Sequence, residues 1–137
     1  MKITISANIN APVAKVWNAW TTPEDICQWN AASDDWHTTE SEIDLKVGGR
    51  FRSRMEAKDG SAGFDFGGSF TVVEPGARLD YLMDDNRCVT VLFEADGERT
   101  QVTETFDAEN VHPPEMQRDG WQSILNNFAR HVEGKSA

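Results

Sequence analysis

Two rhythms of apolar positions divide the chain. Ile3, Ile5, Ala7 and Ile9 alternate with Lys2, Thr4, Ser6 and Asn8, the two-residue period of a half-buried strand. After Asn10, a candidate cap with Ala11 and Pro12 in the first turn, the period lengthens. Val13, Val16, Trp17 and Trp20 then share one face of a short helix ending near Thr21. Thr22-Pro23-Glu24-Asp25 restarts a second helix, its acids at the positive end of the dipole and Ile26, Cys27 and Trp29 on the buried side. Asn30 to Asp35 carry no period and read as a loop.

From His37 alternation returns. One strand runs through Ile43 and Leu45 to a Gly48-Gly49 turn, and the next sets Phe51, Ser53 and Met55 against Arg50, Arg52 and Arg54. Lys58-Asp59-Gly60 is a hairpin turn, since Asp-Gly tolerates the positive φ that tight turns need. A strand with Phe64, Phe66, Phe70 and Val72 follows, and the Gly67-Gly68 pair inside it predicts a bulge or sharp bend. Glu74-Pro75-Gly76, Asp84-Asp85-Asn86 and Asp96-Gly97 separate three further strands, which carry Leu79, Tyr81 and Met83, then Val89, Val91 and Phe93, then Thr100 to Phe106. The final stretch, Pro113 to Val132, repeats at helical spacing. Met116, Trp121, Ile124, Leu125, Phe128, Ala129 and Val132 form its stripe, Gln117, Arg118, Gln122, Asn126, Arg130 and Glu133 take the other side, and Gly134 suits its end.

Such a stripe must be buried, and the strands offer the surface. The expected architecture is α+β: a helix-grip fold in which a curved antiparallel sheet of about six or seven strands surrounds the long C-terminal helix, with two short helices after the first strand. No repeat or linker divides residues 1–137, so one domain is expected. A sheet wrapped round one helix commonly leaves a cavity between them.

Charge narrows the partners. The net charge of −10 repels phosphate backbones and anionic lipid surfaces, so neither nucleic acid nor membrane is expected. No apolar run approaches the ~20 residues of a membrane span, and the start of the chain lacks a signal-peptide pattern, so the cytoplasm is the expected compartment. Cys27 and Cys88 lack CxxC spacing and read as reduced, core-filling thiols. His37, His112 and His131 lie far apart, none at metal spacing on one element; they read as surface residues, with no metal and no cofactor expected.

Ala11-Pro12 with Val16-Trp17, the Thr22-Pro23-Glu24 to Trp29 segment, Asp44-Leu45-Lys46-Val47-Gly48-Gly49-Arg50-Phe51, the Gly68 to Pro75 strand, and Gly120-Trp121 with Leu125 resemble the family named for activators of the heat shock protein 90 ATPase. That family belongs to the START-like (SRPBCC) superfamily, with birch-pollen-allergen-like lipid binders and polyketide cyclases. The resemblance covers nearly the whole chain, but its motifs are structural. It implies a START-like cavity able to hold an apolar small molecule.

Candidate chemistry concentrates on the inward faces. Glu104, between Val102 and Phe106, breaks the apolar pattern of the last strand, where a lone carboxylate is costly unless paired. It reads either as a cavity carboxyl of raised pKa, able to hold a ligand or act as a general acid or base, or as an edge position or half of a structural ion pair with an arginine. Tyr81, the single tyrosine, reads as a cavity donor or as amphipathic core. No established catalytic motif is present, so Glu104 and Tyr81 are the weak catalytic candidates. The expected ligand-binding set is Trp36 at the cavity mouth with Phe51, Met55, Phe66, Tyr81, Val91, Glu104, Trp121 and Leu125. The leading expectation is binding of an apolar or aromatic small molecule. The alternatives are a cyclase- or hydrolase-like enzyme using Glu104, and a co-chaperone-like protein that meets a protein partner through its exterior. Arg50, Arg52 and Arg54 could meet such a partner but are expected on a solvated face balanced by acids.

Overall fold

A computed structural model describes residues 1–136 of the chain. The elements follow the order β1 (Lys2–Ile9), α1 (Val13–Thr21), α2 (Pro23–Trp29), β2 (Trp36–Ile43), β3 (Arg50–Ala57), β4 (Gly63–Glu74), β5 (Arg78–Met83), β6 (Cys88–Asp96), β7 (Arg99–Asp107) and α3 (Pro114–Ser136). The strands form one antiparallel sheet in the order β1-β7-β6-β5-β4-β3-β2. Hairpins therefore join every neighbouring pair from β2 to β7, and the first strand closes onto the last. This is the expected α+β helix-grip architecture.

The core lies between the concave face of the sheet and α3. Ile3, Ile5 and Ile9 of β1, Val89, Val91 and Phe93 of β6, and Val102 and Phe106 of β7 meet Leu125, Phe128 and Val132 of α3. Period two on the strands and period 3.6 on the helix supply matching apolar faces. Polar ties fix the angle of α3: Arg118 donates to the Thr4 carbonyl at 2.9 Å and Gln122 to the Ser6 carbonyl at 3.1 Å. At the other end of the helix Trp20, Trp29 and Phe128 pack ring against ring, with centroids 4.8–5.1 Å apart.

Several expectations need correction. Met116 is 58% exposed whereas Gln117 is buried. The first turn of α3 must anchor the polar connection before it: Gln117 accepts from the Glu109 N–H and donates to the His112 carbonyl. Gly134 lies inside α3, and Leu45 lies beyond the end of β2. Pro12, not Asn10, occupies the cap of α1. Cys88 is exposed and Cys27 half-buried, so neither thiol is core. His37 is half-buried and His112 exposed, but His131 is largely buried and hydrogen-bonded to the more deeply buried Asp25 across the α2–α3 contact, Nε2 to Oδ1 at 2.8 Å. Asp25, expected to serve the α2 dipole, thus holds two helices together.

The Gly67-Gly68 pair is not the bulge. The register of β4 on β5 shifts between Phe70 and Val72, after which Val73 rather than Val72 packs on the core. The glycines answer a different need. A Cβ on Gly68 would lie 2.3 Å from the Leu82 carbonyl oxygen, and one on Gly67 2.8 Å from that of Phe51. Neighbouring strands approach too closely there for any side chain.

Candidate functional site

Between the sheet and α3 the packing opens into a cavity of about 310 Å³. Each wall follows from strand parity. On β3 the inward positions are Phe51, Ser53 and Met55, and on β4 Phe64, Phe66 and Phe70. A register shift between Thr38 and Glu40 turns Ser41 and Ile43 of β2 inward. Leu79 and Tyr81 come from β5, Glu104 from β7, and Trp121, Ile124 and Leu125 from α3. Trp20, Ile26, Trp29 and Asn30 close the end formed by the short helices. Phe64 and Glu42 are exposed and Arg87 half-buried, which marks the mouth.

Of the expected ligand-binding residues, Phe51, Met55, Phe66, Tyr81, Glu104, Trp121 and Leu125 meet around this one cavity. Val91 does not line it; fully buried, it sits between Leu79 and Glu104 in the sheet. Trp36 does not line it either. Its ring lies 5.9 Å from that of Phe64, which stands at the mouth in its place. Trp121 stacks on Phe106, centroids 3.9 Å apart and planes within 8°, and Phe51 packs edge-on to Tyr81 at 4.9 Å.

The wall contains one carboxyl without a partner. Glu104 is 5% exposed, and no described residue forms a hydrogen bond or ion pair with it. The arginine pairing considered from sequence is therefore absent among the described residues. No fully enclosed side-chain nitrogen or oxygen among them lacks a partner, so the open carboxyl borders the cavity. Burial pushes its pKa up to about 8, because a low-dielectric surrounding penalises the charged form. Tyr81 likewise has no hydrogen-bond partner among the described residues. Burial first, and the negative charge of Glu104 second, hold its phenol well above its ordinary value.

Outside the cavity the arginine stripe is neutralised. Arg50 meets Asp84 at 2.8 Å, Arg52 meets Glu40 at 3.1 Å and Arg54 meets Glu56 at 3.1 Å, all with substantial exposure. Exposed pairs of this kind contribute little. Among the described residues no group of three His, Cys, Asp or Glu is placed to hold a metal ion, and no helix is long and apolar enough to cross a membrane.

The ligand-binding set expected from sequence omits Ser53, Phe70, Leu79 and the ring pair Trp20 and Trp29, all of which line the cavity. Parity with Phe51 and Met55 was the signal for Ser53; for Trp20 and Trp29 no local signal separates wall from core.

Comparison with known proteins places the fold in a family. Residues 10–133 match the model for Activator of Hsp90 ATPase homolog 1-like protein. Among solved structures, an AHSA1-like protein from Aeromonas hydrophila is 56% identical with a TM-score of 0.93, covering 99% of this chain and 94% of that one. A protein from Cytophaga hutchinsonii is 41% identical, TM-score 0.84, covering 98% and 94%. A protein from Nitrosomonas europaea shares the fold alone, at 19% identity, TM-score 0.86, covering 99% and 96%. No curated protein matches. The chain belongs to the Activator of Hsp90 ATPase homolog 1-like family and carries its START-like helix-grip fold.

Proposed function

We propose that this protein binds an apolar or aromatic small molecule in the cavity between sheet and α3, working in the cytoplasm. The carrying observation is a chamber of about 310 Å³ walled by aromatic and aliphatic side chains, into which the unpartnered groups of Glu104 and Tyr81 open. An apolar wall with few convergent polar groups is the usual make-up of a ligand site. Unmatched polar groups also favour a ligand that satisfies them, since an unmade buried hydrogen bond is costly. The test is a neutral aromatic probe, 2-(1-naphthyl)ethanol, titrated against the parent and against Ile124→Trp, which extends a ring from α3 into the chamber. Saturable binding to the parent that falls at least tenfold in the variant supports the reading; equal binding to both rejects it.

One observation favours catalysis as a second reading. A carboxyl whose pKa lies at about 8 holds its proton near neutrality and gives it up readily there, the property of a general acid or base. With Tyr81 as a second donor it fits a cyclase- or hydrolase-like step on a bound ligand. Unchanged turnover of a bound compound by Glu104→Gln rejects that role.

A further inference from the structure

We infer that the ligand is a hydrophobic organic cation, an ammonium carried on an aryl or alkyl body, with Glu104 as its counter-ion and the surrounding rings as its cage. The inference rests on the carrier reading above and specifies the ligand's charge.

Glu104 is buried, aimed into the cavity and without a partner among the described residues. Register places Ile5 of β1 and Val91 of β6 beside it. Helix α3 adds Trp121, Ile124 and Leu125 to the same chamber. None of these titrates. The remaining ionisable groups of the lining are the Tyr81 phenol of β5 and, at the mouth, Glu42 and Arg87. Arg87 is already held by Asp85, Nε to Oδ2 at 2.7 Å. Among the described residues the interior thus offers a potential negative charge and no cation to meet it.

Three ligand charges can be compared. An anionic amphiphile finds no free cation inside and faces both Glu104 and Glu42. A neutral ligand gains hydrogen bonds from the protonated carboxyl and the Tyr81 phenol but no ion pair. A cation gains the ion pair, and its other sides meet the negative faces of Trp20, Trp29, Phe51, Phe66 and Trp121, which attract cations when desolvated. The net charge of −10 raises the local concentration of cations around the whole molecule.

The proton balance follows. With its pKa at about 8, Glu104 is neutral in the empty protein at pH 7. An arriving ammonium supplies the opposite charge that stabilises the carboxylate, so the carboxyl proton leaves to solvent as the pair forms. Affinity for the cation therefore rises with pH up to the pKa of the free Glu104. Affinity for a neutral ligand does not.

The test compares 2-(1-naphthyl)ethylamine with 2-(1-naphthyl)ethanol, matched in shape, by calorimetric titration of the intact protein at pH 6 and pH 8. Amine affinity should rise on the order of fifty-fold between these pH values, with release of up to one proton per site. Alcohol affinity should stay within about threefold over the same range, because it is unlinked to that proton. Glu104→Gln should abolish the pH dependence for the amine while still binding the alcohol, which shows that the variant is folded. Binding of the alcohol with an amine affinity no higher and independent of pH overturns the cation inference and leaves the carrier reading standing. Binding of neither overturns the inference and counts against the carrier reading as well.

Discussion

Glu104 on β7 and Tyr81 on β5 open into one cavity from strands separated by β6, and neither side chain hydrogen-bonds to the other or to any described residue. Register puts Glu104 opposite Val91 and Tyr81 opposite Val89, so the two are offset by one inward step. Glu104 bears on Tyr81 electrostatically, since burial first and the charge of Glu104 second raise the Tyr81 pKa. Two uncompensated polar groups in a mostly apolar wall are a cost that the empty fold carries, and the cost has a measurable pH signature.

Stability should fall as pH rises from about 4.5 to about 8 on account of Glu104. The unfolded chain loses this proton near 4.5 while the folded protein keeps it to about 8, so across that window the folded state binds more protons and rising pH favours unfolding. Glu104→Gln removes the effect. Between pH 5 and pH 8 the stability of the variant relative to the parent should improve by roughly 2–4 kcal/mol. Urea unfolding of both proteins at the two pH values measures it.

The Asp25–His131 pair, 2.8 Å apart and largely enclosed, should matter more than any arginine pair on the outer face. His131→Ala deprives a buried carboxyl of one partner and should cost about 1–3 kcal/mol. Arg52→Ala, on an exposed pair, should cost less than about 1 kcal/mol. Thermal melts of the two variants side by side check the contrast.

Phe128 is fully buried, and its ring lies 4.8 Å from those of Trp20 and Trp29. Truncation to Ala should cost about 3–5 kcal/mol, transfer and cavity terms together. Because Trp20 and Trp29 also line the ligand chamber, the same variant should weaken probe binding. Calorimetry at a temperature where it is still folded tests both effects.

Gly68 should tolerate no side chain. A Cβ there would sit 2.3 Å from the Leu82 carbonyl oxygen, within the β4–β5 ladder, so Gly68→Ala forces the strands apart at a cost of roughly 1–3 kcal/mol. The contrasting position is Gly120, where a Cβ would meet nothing within 4 Å and a helical site favours Ala over Gly by up to ~1 kcal/mol. Chemical denaturation of the two variants should move the midpoint in opposite directions.

Element types were legible in the sequence because each carries a clear period: alternation in β1 and β3, helical spacing from Trp121 to Val132. Seven of the nine residues expected at the ligand site line the cavity for the same reason, since inward parity on β3, β4, β5 and β7 and the apolar stripe of α3 point at one place. The misses share a cause as well. Period two says nothing about where a strand slips register, so the shift between Phe70 and Val72 hid the inward turn of Val73. Nor does it say how far a chain reaches, so Trp36, inward but at the start of its strand, ended against Phe64. Gln117, Asp25 and His131 are polar residues buried because each satisfies a partner distant in sequence or in a connecting loop. Residue type alone assigns such side chains to the surface.

The most direct test of the account is a titration of the 15N-labelled protein with a library of small aromatic amines, alcohols and acids, following backbone amide shifts. The account predicts saturable shifts clustered at Phe51, Tyr81, Glu104, Trp121 and Leu125, strongest for the amines at pH 8. Shifts confined to the arginine face around Arg50 to Arg54, or none for any compound, would contradict it and direct attention to a protein partner on the exterior.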